Sequence, residues 1–256
     1  MTKPAKPKKA KSKTANTNPG GNELVFVALG GAGEIGMNLN LYGYGPPGEE
    51  RWIMLDLGVT FSDGWPPGVD VIMADPSFIE ERADQLDGLV LTHVHEDHLG
   101  AVQYLWDRFK CPIYATPFTA HILARKLAEP GWEDDADVTV VPLQGTFSVG
   151  PFELELITLT HSIPEPNAVV VRTPLGTVLH TGDWKFDPGD RRRVGPGGLA
   201  GARRRRRFGH GLRFHQCVFA GPIRVRRRNP GQHDRGHRRL FGPGRRGLLR
   251  DQRGAA

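Results

Sequence analysis

With 256 residues, 38% of them hydrophobic, the chain is long enough for one large or two small domains with a real core. Its net charge of +6 conceals three regions, because residues 1–22 sum to +6, residues 23–190 to −18 and residues 191–256 to +18. The overall basic balance therefore describes no single domain, and it is not by itself an argument for nucleic-acid binding.

Other features of the composition exclude further classes of protein. Two cysteines provide neither a disulfide framework nor a cysteine-based metal site. No apolar run approaches the roughly 18 residues of a membrane span, and the Lys/Pro/Ala-rich start lacks the apolar segment of a signal peptide. We therefore expect a soluble, cytoplasmic protein with no membrane partner.

The chain starts with a segment that has almost nothing to bury, so residues 1–22 are predicted to be a disordered basic tail. Strands are then predicted at residues 24–29 and 38–42. The loop between them matches G-x-G-x-x-G, but a strand follows where a dinucleotide-binding fold needs a helix, so that interpretation is excluded.

A third apolar run, residues 52–55, is predicted to be a buried strand that ends at Asp56. A carboxylate at a strand end can orient a metal-bound histidine through a hydrogen bond, or it can simply cap the following turn. Five further elements are predicted: an acidic helix at 78–85, a strand at 89–91, a helix at 99–109, a strand at 112–115 and a helix at 117–127.

The densest cluster of candidate ligands directly follows the strand at 89–91. Within six positions the chain carries His93, His95, Asp97 and His98. Imidazole and carboxylate groups are the ligands that a zinc-like ion takes. The alternative is a polar loop that happens to be rich in histidine, but the H-x-H-x-D-H spacing after a buried strand favours a metal site.

Two later strand pairs each end at a further candidate ligand. Strands predicted at 138–141 and 152–157 precede His161, and strands predicted at 168–172 and 177–179 precede Asp183. Several separate strands are each followed by a residue that can bind the same kind of metal ion, and chance is a poor explanation for that pattern. The sequence therefore predicts that these residues meet the histidine cluster.

These residues suffice for two metal ions. One predicted ligand set is His93, His95 and His161, and the other is Asp97, His98 and Asp183, with Asp183 able to bridge both ions. Such a pair acidifies a bound water to a pKa of about 7 and neutralises charge that develops on a phosphoryl or acyl oxygen. The reaction class is therefore metal-assisted hydrolysis, and the ligands alone do not choose between ester, lactam and phosphodiester.

The motifs resemble a known family. The H-x-H-x-D-H run, the lone His161 and the T-G-D element at 181–183 are similar to the pattern of the metallo-β-lactamase superfamily. Within that superfamily, L-G-G-A-G-E-I-G-M-N at 29–38, T-H-S-I-P at 160–164 and H-T-G-D-W-K-F-D-P at 180–188 resemble ribonuclease J. The likeness covers about residues 23–190.

The resemblance implies an α/β (α+β) fold, a metallo-β-lactamase αββα sandwich that is incomplete here, with disordered N- and C-terminal tails. It also implies a metal-dependent RNA phosphodiester hydrolase with two zinc ions, acting from the 5′ end and internally in mRNA decay and processing. RNA would be the partner, and the full-length family would form a homodimer or tetramer. Asp56 takes the position of the superfamily's first-motif carboxylate, and the catalytic carboxylates would be Asp97, Asp183 and Asp56.

The resemblance stops after residue 188. Residues 191–256 carry 20 Arg, many glycines and no periodic apolar pattern. This region can be a basic RNA-binding tail, a solvated disordered end or the product of a shifted reading frame. With permitted codons, reading one base later turns residues 212–217 into C-D-S-T-N, and segments 223–234 and 248–255 also become strings that resemble ribonuclease J. The sequence therefore favours a frameshift between residues 188 and 212.

A frameshift would remove a further metal-ligand histidine, the 5′-phosphate contacts and the RNA-clamping domain that the resemblance implies. We therefore expect the second metal site to be incomplete, the sandwich to lack part of its second sheet, and nuclease activity to be weak or absent. The alternatives are a small-molecule hydrolase of the same superfamily and a non-enzymatic basic protein that binds RNA through its arginines.

Overall fold

The computed structural model describes residues 21–62 and 67–185, together with the backbone of three short strands beyond residue 212. The tail predicted over residues 1–22 lies almost entirely outside the described residues. The same holds for most of the Arg/Gly-rich region predicted over 191–256. Nowhere in the described ranges does a helix have the length and apolar character needed to cross a membrane.

The strands are β1 Glu23–Gly30, β2 Leu39–Gly45, β3 Arg51–Leu55, β4 Val59–Phe61, β5 Val71–Met73, β6 Leu86–Val90, β7 Ile113–Ala115, β8 Val138–Val140, β9 Thr146–Val149, β10 Phe152–Thr158, β11 Asn167–Thr173, β12 Gly176–His180, β13 Arg213–Phe214, β14 Cys217–Ala220 and β15 Arg224–Val225. The helices are α1 Ser77–Glu80, α2 Glu96–Leu99, α3 Val102–Leu105 and α4 Pro117–Ala128.

The strands form two large sheets and a small ribbon. The first sheet has the order β15-β1-β2-β3-β6-β7-β8, and the second has the order β13-β14-β12-β11-β10-β9. Strands β3, β6, β7 and β8 run parallel, so their carboxyl ends lie at one edge of the first sheet. The second sheet is antiparallel throughout, and β4 pairs with β5 in a separate ribbon.

Alternation of side chains along the strands builds the layers. In β3, Trp52 and Met54 pack on the core shared with the helices, whereas Ile53 and Leu55 pack on the core between the sheets. The second sheet supplies the facing side of this inter-sheet core through alternate residues of β10, β11 and β12, namely Phe152, Leu154, Leu156, Val169, Val171 and Val178. Helices therefore cover one face of the first sheet, and the second sheet covers the other.

The outer face of the second sheet carries a third buried cluster of Ile157, Leu159, Ala168, Val170 and Leu179. Within the described ranges, no helix contributes to this cluster. The predicted mixed α/β sandwich is confirmed, with three of its four predicted layers described. Three short strands beyond residue 212, β13, β14 and β15, pair with the two sheets.

The predicted strands and the helix at 117–127 are confirmed to within a few residues, but the helix predicted at 99–109 is broken. The break lies between α2 and α3. If α2 continued into α3 as one helix, the amide of Ala101 would bond to the carbonyl of Asp97. Instead, the Ala101 amide donates to Leu57 O at 3.0 Å, and Asp97 O accepts from the Asn38 amide at 3.0 Å. Tertiary hydrogen bonds therefore replace the helical ones where the ligand cluster is attached to its neighbours.

The helix predicted at 78–85 is also interrupted, because α1 ends at Glu80 and a separate 3₁₀ turn follows at Ala83–Gln85. The β4–β5 ribbon and strand β9 were not predicted. Strands β4 and β5 have only three residues each, too few for a clear alternation pattern.

Candidate metal centre

The first sheet places Asp56 and the histidine cluster side by side. Strands β3 and β6 are parallel neighbours, and the Asp56 amide continues their pairing by donating to Val90 O at 3.0 Å. The fully buried Asp56 carboxylate then accepts from the Thr92 amide at 2.8 Å, from Thr92 Oγ1 at 2.9 Å and from His98 Nδ1 at 2.7 Å. Asp56 therefore fixes the backbone just before His93 and the ring orientation of His98.

The single turn of α2 folds the cluster back on itself. His95 precedes the helix in an extended conformation, and the amides of His98 and Leu99 both donate to His95 O. This turn brings the rings of His93 and His98 to 4.0 Å between centroids. The nitrogens His93 Nε2 and His95 Nδ1 are 3.1 Å apart.

A second chain segment holds this turn from outside. The Leu57 amide donates to His98 O at 2.7 Å, and the Gly58 amide donates to Asn38 O at 2.9 Å. Asn38 in turn donates both its backbone amide and its Nδ2 to Asp97 O, at 3.0 and 2.9 Å. A Cβ added at Gly58 would lie 1.7 Å from Asp97 O, so only glycine permits this approach of the two backbones.

The second sheet supplies the remaining two candidate ligands from loops that pair with each other. His161 follows β10, and Asp183 follows β12. The Lys185 amide donates to Thr160 O at 2.7 Å, and Thr160 Oγ1 donates to Lys185 O. This pairing brings His161 and Asp183 together on the histidine cluster of the first sheet, with His161 Nε2 at 3.1 Å from His95 Nδ1.

The candidate ligands form two compact groups that share one residue. The tri-histidine group is His93, His95 and His161, and the mixed group is His93, His98 and Asp183. In each group the donor atoms lie within 4.8 Å of one another. The first group matches the predicted ligand set, whereas in the second the structure has His93 where Asp97 was predicted. Asp97 borders the mixed group, with its Oδ2 at 3.5 Å from His98 Nε2.

Both groups fit a metal ion of the zinc type. Two ligands at about 2.0–2.1 Å from a tetrahedral ion are about 3.3–3.4 Å apart, close to the 3.1 Å that separates His95 Nδ1 from both other nitrogens of the tri-histidine group. Asp183 Oδ2 and His98 Nε2 are 3.6 Å apart in the mixed group. Hydrogen bonds from Nδ1 of His93 to Thr92 and from Nδ1 of His98 to Asp56 leave both Nε2 atoms directed into the site.

The two groups differ in charge: histidines of the tri-histidine group have lowered pKa values, whereas the mixed group contains a histidine with a raised pKa and an ionised carboxylate. Burial and the neighbouring charge of His98 lower the pKa of His93 to about 3, and burial also lowers the pKa of His161. Burial would lower the pKa of His98 as well, but the charge of Asp56, the carboxylate of Asp183 beside it and the hydrogen bond to Asp56 raise it well above 6.5. The neighbouring His98 lowers the pKa of Asp183 to about 2.

All seven predicted site residues lie at this centre: His93, His95, His161, Asp97, His98, Asp183 and Asp56. The sequence analysis did not identify three residues that hold this centre through hydrogen bonds. Asn38 Nδ2 donates to Asp97 O, the Thr92 amide donates to the Asp56 carboxylate, and Asn167 Nδ2 donates to Thr92 O. Asn38 belongs to the E-I-G-M-N stretch that carried the resemblance, so a signal for it was present. Thr92 and Asn167 have no motif of their own.

The chain belongs to the metallo-β-lactamase superfamily, whose sequence pattern matches residues 43–222. A protein of known structure, the metallo-beta-lactamase fold protein YhfI from Bacillus subtilis, is 18% identical with a TM-score of 0.44 and covers 64% of each chain. Membership of the superfamily rests on the sequence match.

Among curated proteins the chain is similar to ribonucleases J. It is 51% identical to ribonuclease J of Sinorhizobium meliloti over 165 residues, which is 64% of this chain and 29% of that protein. It is 40% identical to ribonuclease J of Mycolicibacterium smegmatis and 36% identical to ribonuclease J 1 of Streptococcus pyogenes, covering 66% and 65% of this chain and 29% of each relative. The resemblance to ribonuclease J is thereby confirmed, over less than a third of the length of these relatives.

Proposed function

We propose that the chain is the metallo-β-lactamase part of a metal-dependent RNA phosphodiester hydrolase of the ribonuclease J type. The observation that carries this proposal is the pair of compact donor groups sharing His93, in a chain whose curated relatives are named ribonuclease J. We further propose two zinc ions as cofactors, RNA as the partner, a cytoplasmic location, and a homodimer or tetramer for the full-length family.

In such a centre the site residues would have different roles, as ligands of the two ions or as groups that orient those ligands. His93, His95 and His161 would hold one ion, and His98 and Asp183 would hold the other with His93 or Asp97 beside them. Bound ions of this type acidify a water to a pKa of about 7 and neutralise charge on a phosphoryl oxygen. Asp183 stays ionised, since its pKa is lowered to about 2, and Asp97 adds a second negative charge at the mixed group. Asp56 contributes by orienting His98.

The chain covers only part of its relatives' length, and this limits the activity that we expect from it. It spans about 29% of the length of the relatives described above, and the resemblance places a further metal-ligand histidine and the RNA-clamping surface elsewhere in the full-length family. We therefore expect weak nuclease activity or none from this chain alone. The shifted reading frame proposed for residues 191–256 is tested by the coding DNA, where an intact frame with unrelated codons would contradict it.

The decisive experiment compares substrates on one preparation of the full chain. Metal-loaded protein is incubated with 5′-monophosphorylated RNA, with a β-lactam and with a thioester, beside a His161→Ala control. Metal-dependent RNA cleavage that is lost in the control supports the proposal. Cleavage of the lactam or thioester alone would instead identify a small-molecule hydrolase. Metal-independent RNA binding that disappears on deletion of residues 191–256 would identify a basic RNA-binding protein.

A further inference from the structure

Asn167 lies where the second sheet meets the ligand loops of the first. It is the first residue of β11 and is only 1% exposed. Its Nδ2 donates two hydrogen bonds, to Thr92 O at 3.2 Å and to Glu165 O at 2.7 Å. Because both partners are carbonyl oxygens, which only accept, the orientation of the amide is fixed by chemistry.

The bond to Thr92 connects the two sheets directly before His93. Thr92 already donates its backbone amide and its hydroxyl to Asp56, at the end of β3 in the first sheet. Its carbonyl accepts from Asn167, at the start of β11 in the second sheet. The residue that precedes the shared ligand is therefore held from both sides of the sandwich.

The bond to Glu165 stabilises the loop that carries His161. This loop is closed by the Leu159 amide, which donates to Pro166 O at 2.8 Å. Glu165 has a φ of 54°, a left-handed conformation that costs free energy for a residue other than glycine. Its Oε2 accepts from the Phe118 amide at 2.9 Å, at the start of α4, so the loop is fixed at both its carbonyl and its side chain.

Asn167 also adjoins the segment that carries Asp183. A Cβ added at Gly182, which has a φ of 55°, would lie 3.1 Å from Asn167 O. Asn167 is therefore in contact with, or directly beside, all three ligand-bearing segments. Its Oδ1 is buried without a hydrogen-bond partner among the residues that the structure describes. An unpaired buried carbonyl is costly, and an apolar side chain would avoid that cost, so packing alone does not account for asparagine here.

We propose that Asn167 is a positioning residue that sets His161 against His93 and His95, and so determines the metal affinity of the tri-histidine group. The inference rests on the metal centre of the proposed function, but it does not depend on RNA as the substrate. Groups that orient metal ligands from outside the coordination shell typically change metal affinity by about 10–100-fold when they are replaced. We expect a change of that size here.

The test measures Co²⁺ binding to the full chain by its visible absorption, which reports ligand geometry. Asn167→Leu keeps the branching at Cγ and removes both donated hydrogen bonds, and Asn167→Asp puts a carboxylate oxygen against two carbonyls. Val171→Ala is the matched control, because Val171 is fully buried in the same strand but packs in the inter-sheet core. His161→Ala identifies the part of the signal that belongs to the tri-histidine group.

We expect both Asn167 variants to weaken Co²⁺ binding at the tri-histidine group by about 10–100-fold and to alter its spectrum. Val171→Ala should lower the unfolding temperature and leave both the affinity and the spectrum unchanged. The proposal is overturned if Asn167→Leu binds Co²⁺ like the unmodified chain, or if Val171→Ala weakens binding equally. Unmodified protein that binds Co²⁺ and hydrolyses the β-lactam or the thioester but not RNA would contradict the proposed function alone, and protein that binds no Co²⁺ would contradict both.

Discussion

The two sheets contribute to the metal centre in different ways. The first sheet supplies three histidines within six positions, of which His93 and His98 are completely buried. The second sheet supplies two single residues from separate loops, and the side chain of Asp183 is 38% exposed. Hydrogen bonds from neighbouring segments of the same sheet, at Asn38, Asp56 and Leu57, hold the first half, whereas the second half depends on the pairing of its two loops and on contacts across the sandwich. The ligands on the first sheet are therefore preformed. The positions of His161 and Asp183 on the second sheet determine how closely the remaining ligands approach a metal ion.

The largest expected effect tests the first half through its buried ion pair. Asp56→Asn keeps the shape of the side chain but removes the charge that pairs with His98, and breaking a buried pair in this way costs about 3–5 kcal/mol. The free energy of unfolding is measured with urea in the presence of EDTA. Asp87→Asn is the control, since its partner Arg51 is half-exposed and the expected loss is below about 1 kcal/mol.

The effect of Asp56→Asn should depend on pH. The folded chain lowers the pKa of Asp56 from 3.8, so its contribution is present above 3.8 and is lost as the pH falls through the lowered value. The folded chain raises the pKa of His98 from 6.5, so that contribution is complete below 6.5 and is lost as the pH rises through the raised value. The destabilisation should be largest between pH 3.8 and 6.5, and equal losses in both variants at every pH would contradict this account.

The second prediction contrasts a ligand of the tri-histidine group with a ligand of the mixed group. His161 belongs to the tri-histidine group alone, so His161→Ala should weaken metal binding there and leave the mixed group occupied. Asp183 belongs to the mixed group alone, so Asp183→Ala should have the opposite effect. Each loss should exceed about 100-fold, the upper range for groups outside the coordination shell. Equilibrium dialysis with metal analysis counts the ions: each single variant should retain one ion and the double variant none, and a single variant that retains none would contradict two separate groups.

The third prediction distinguishes the two groups by proton release. The pKa of His98 is raised above 6.5 by the Asp56 charge, so its imidazole keeps a second proton to higher pH than a free histidine, and that proton must leave when Nε2 binds a metal. The pKa of His93 is about 3 and that of His161 is also lowered, so both are neutral at pH 7. Calorimetry in buffers of different ionisation enthalpy should show more proton release at the mixed group than at the tri-histidine group, with affinity at the mixed group rising with pH. Equal proton release at the two groups would contradict a raised pKa of His98.

The smallest expected effect concerns the loop of the second sheet. Glu165 accepts from the Phe118 amide, and the N-cap side chain of α4, Thr116, makes no capping hydrogen bond to the described residues. Glu165→Ala should therefore cost about 1 kcal/mol of stability, as the loss of a helix cap does. Glu129→Ala, just after the other end of α4, serves as the control. Equal urea midpoints for the two variants would show that Glu165 does not cap the helix.

The ligands were predictable because each follows an apolar run whose period identifies a strand. The residues that hold them were not, because their roles depend on contacts between distant segments. Nothing near Thr92 or Asn167 in the sequence shows that their carbonyl and amide meet across the sandwich. The broken helix after His98 has the same origin, since Asn38 and Leu57 take hydrogen bonds that local periodicity assigns to the helix. Sequence patterns describe local preferences for secondary structure. The predictions fail where tertiary hydrogen bonds replace the local ones.

The close approach at Gly58 has a consequence for how this site can vary. Any side chain there meets the carbonyl of Asp97 at 1.7 Å, so alanine is already as incompatible as a larger residue. A saturation library at Gly58 should therefore fail uniformly, without the graded response to side-chain size that is usual in a core. Gly48 has open space around it and should tolerate most replacements, although its φ of 90° penalises them modestly. Gly58 is thus a position of the metal centre at which no single substitution is tolerated. Any replacement there should displace the loop that carries the histidine ligands.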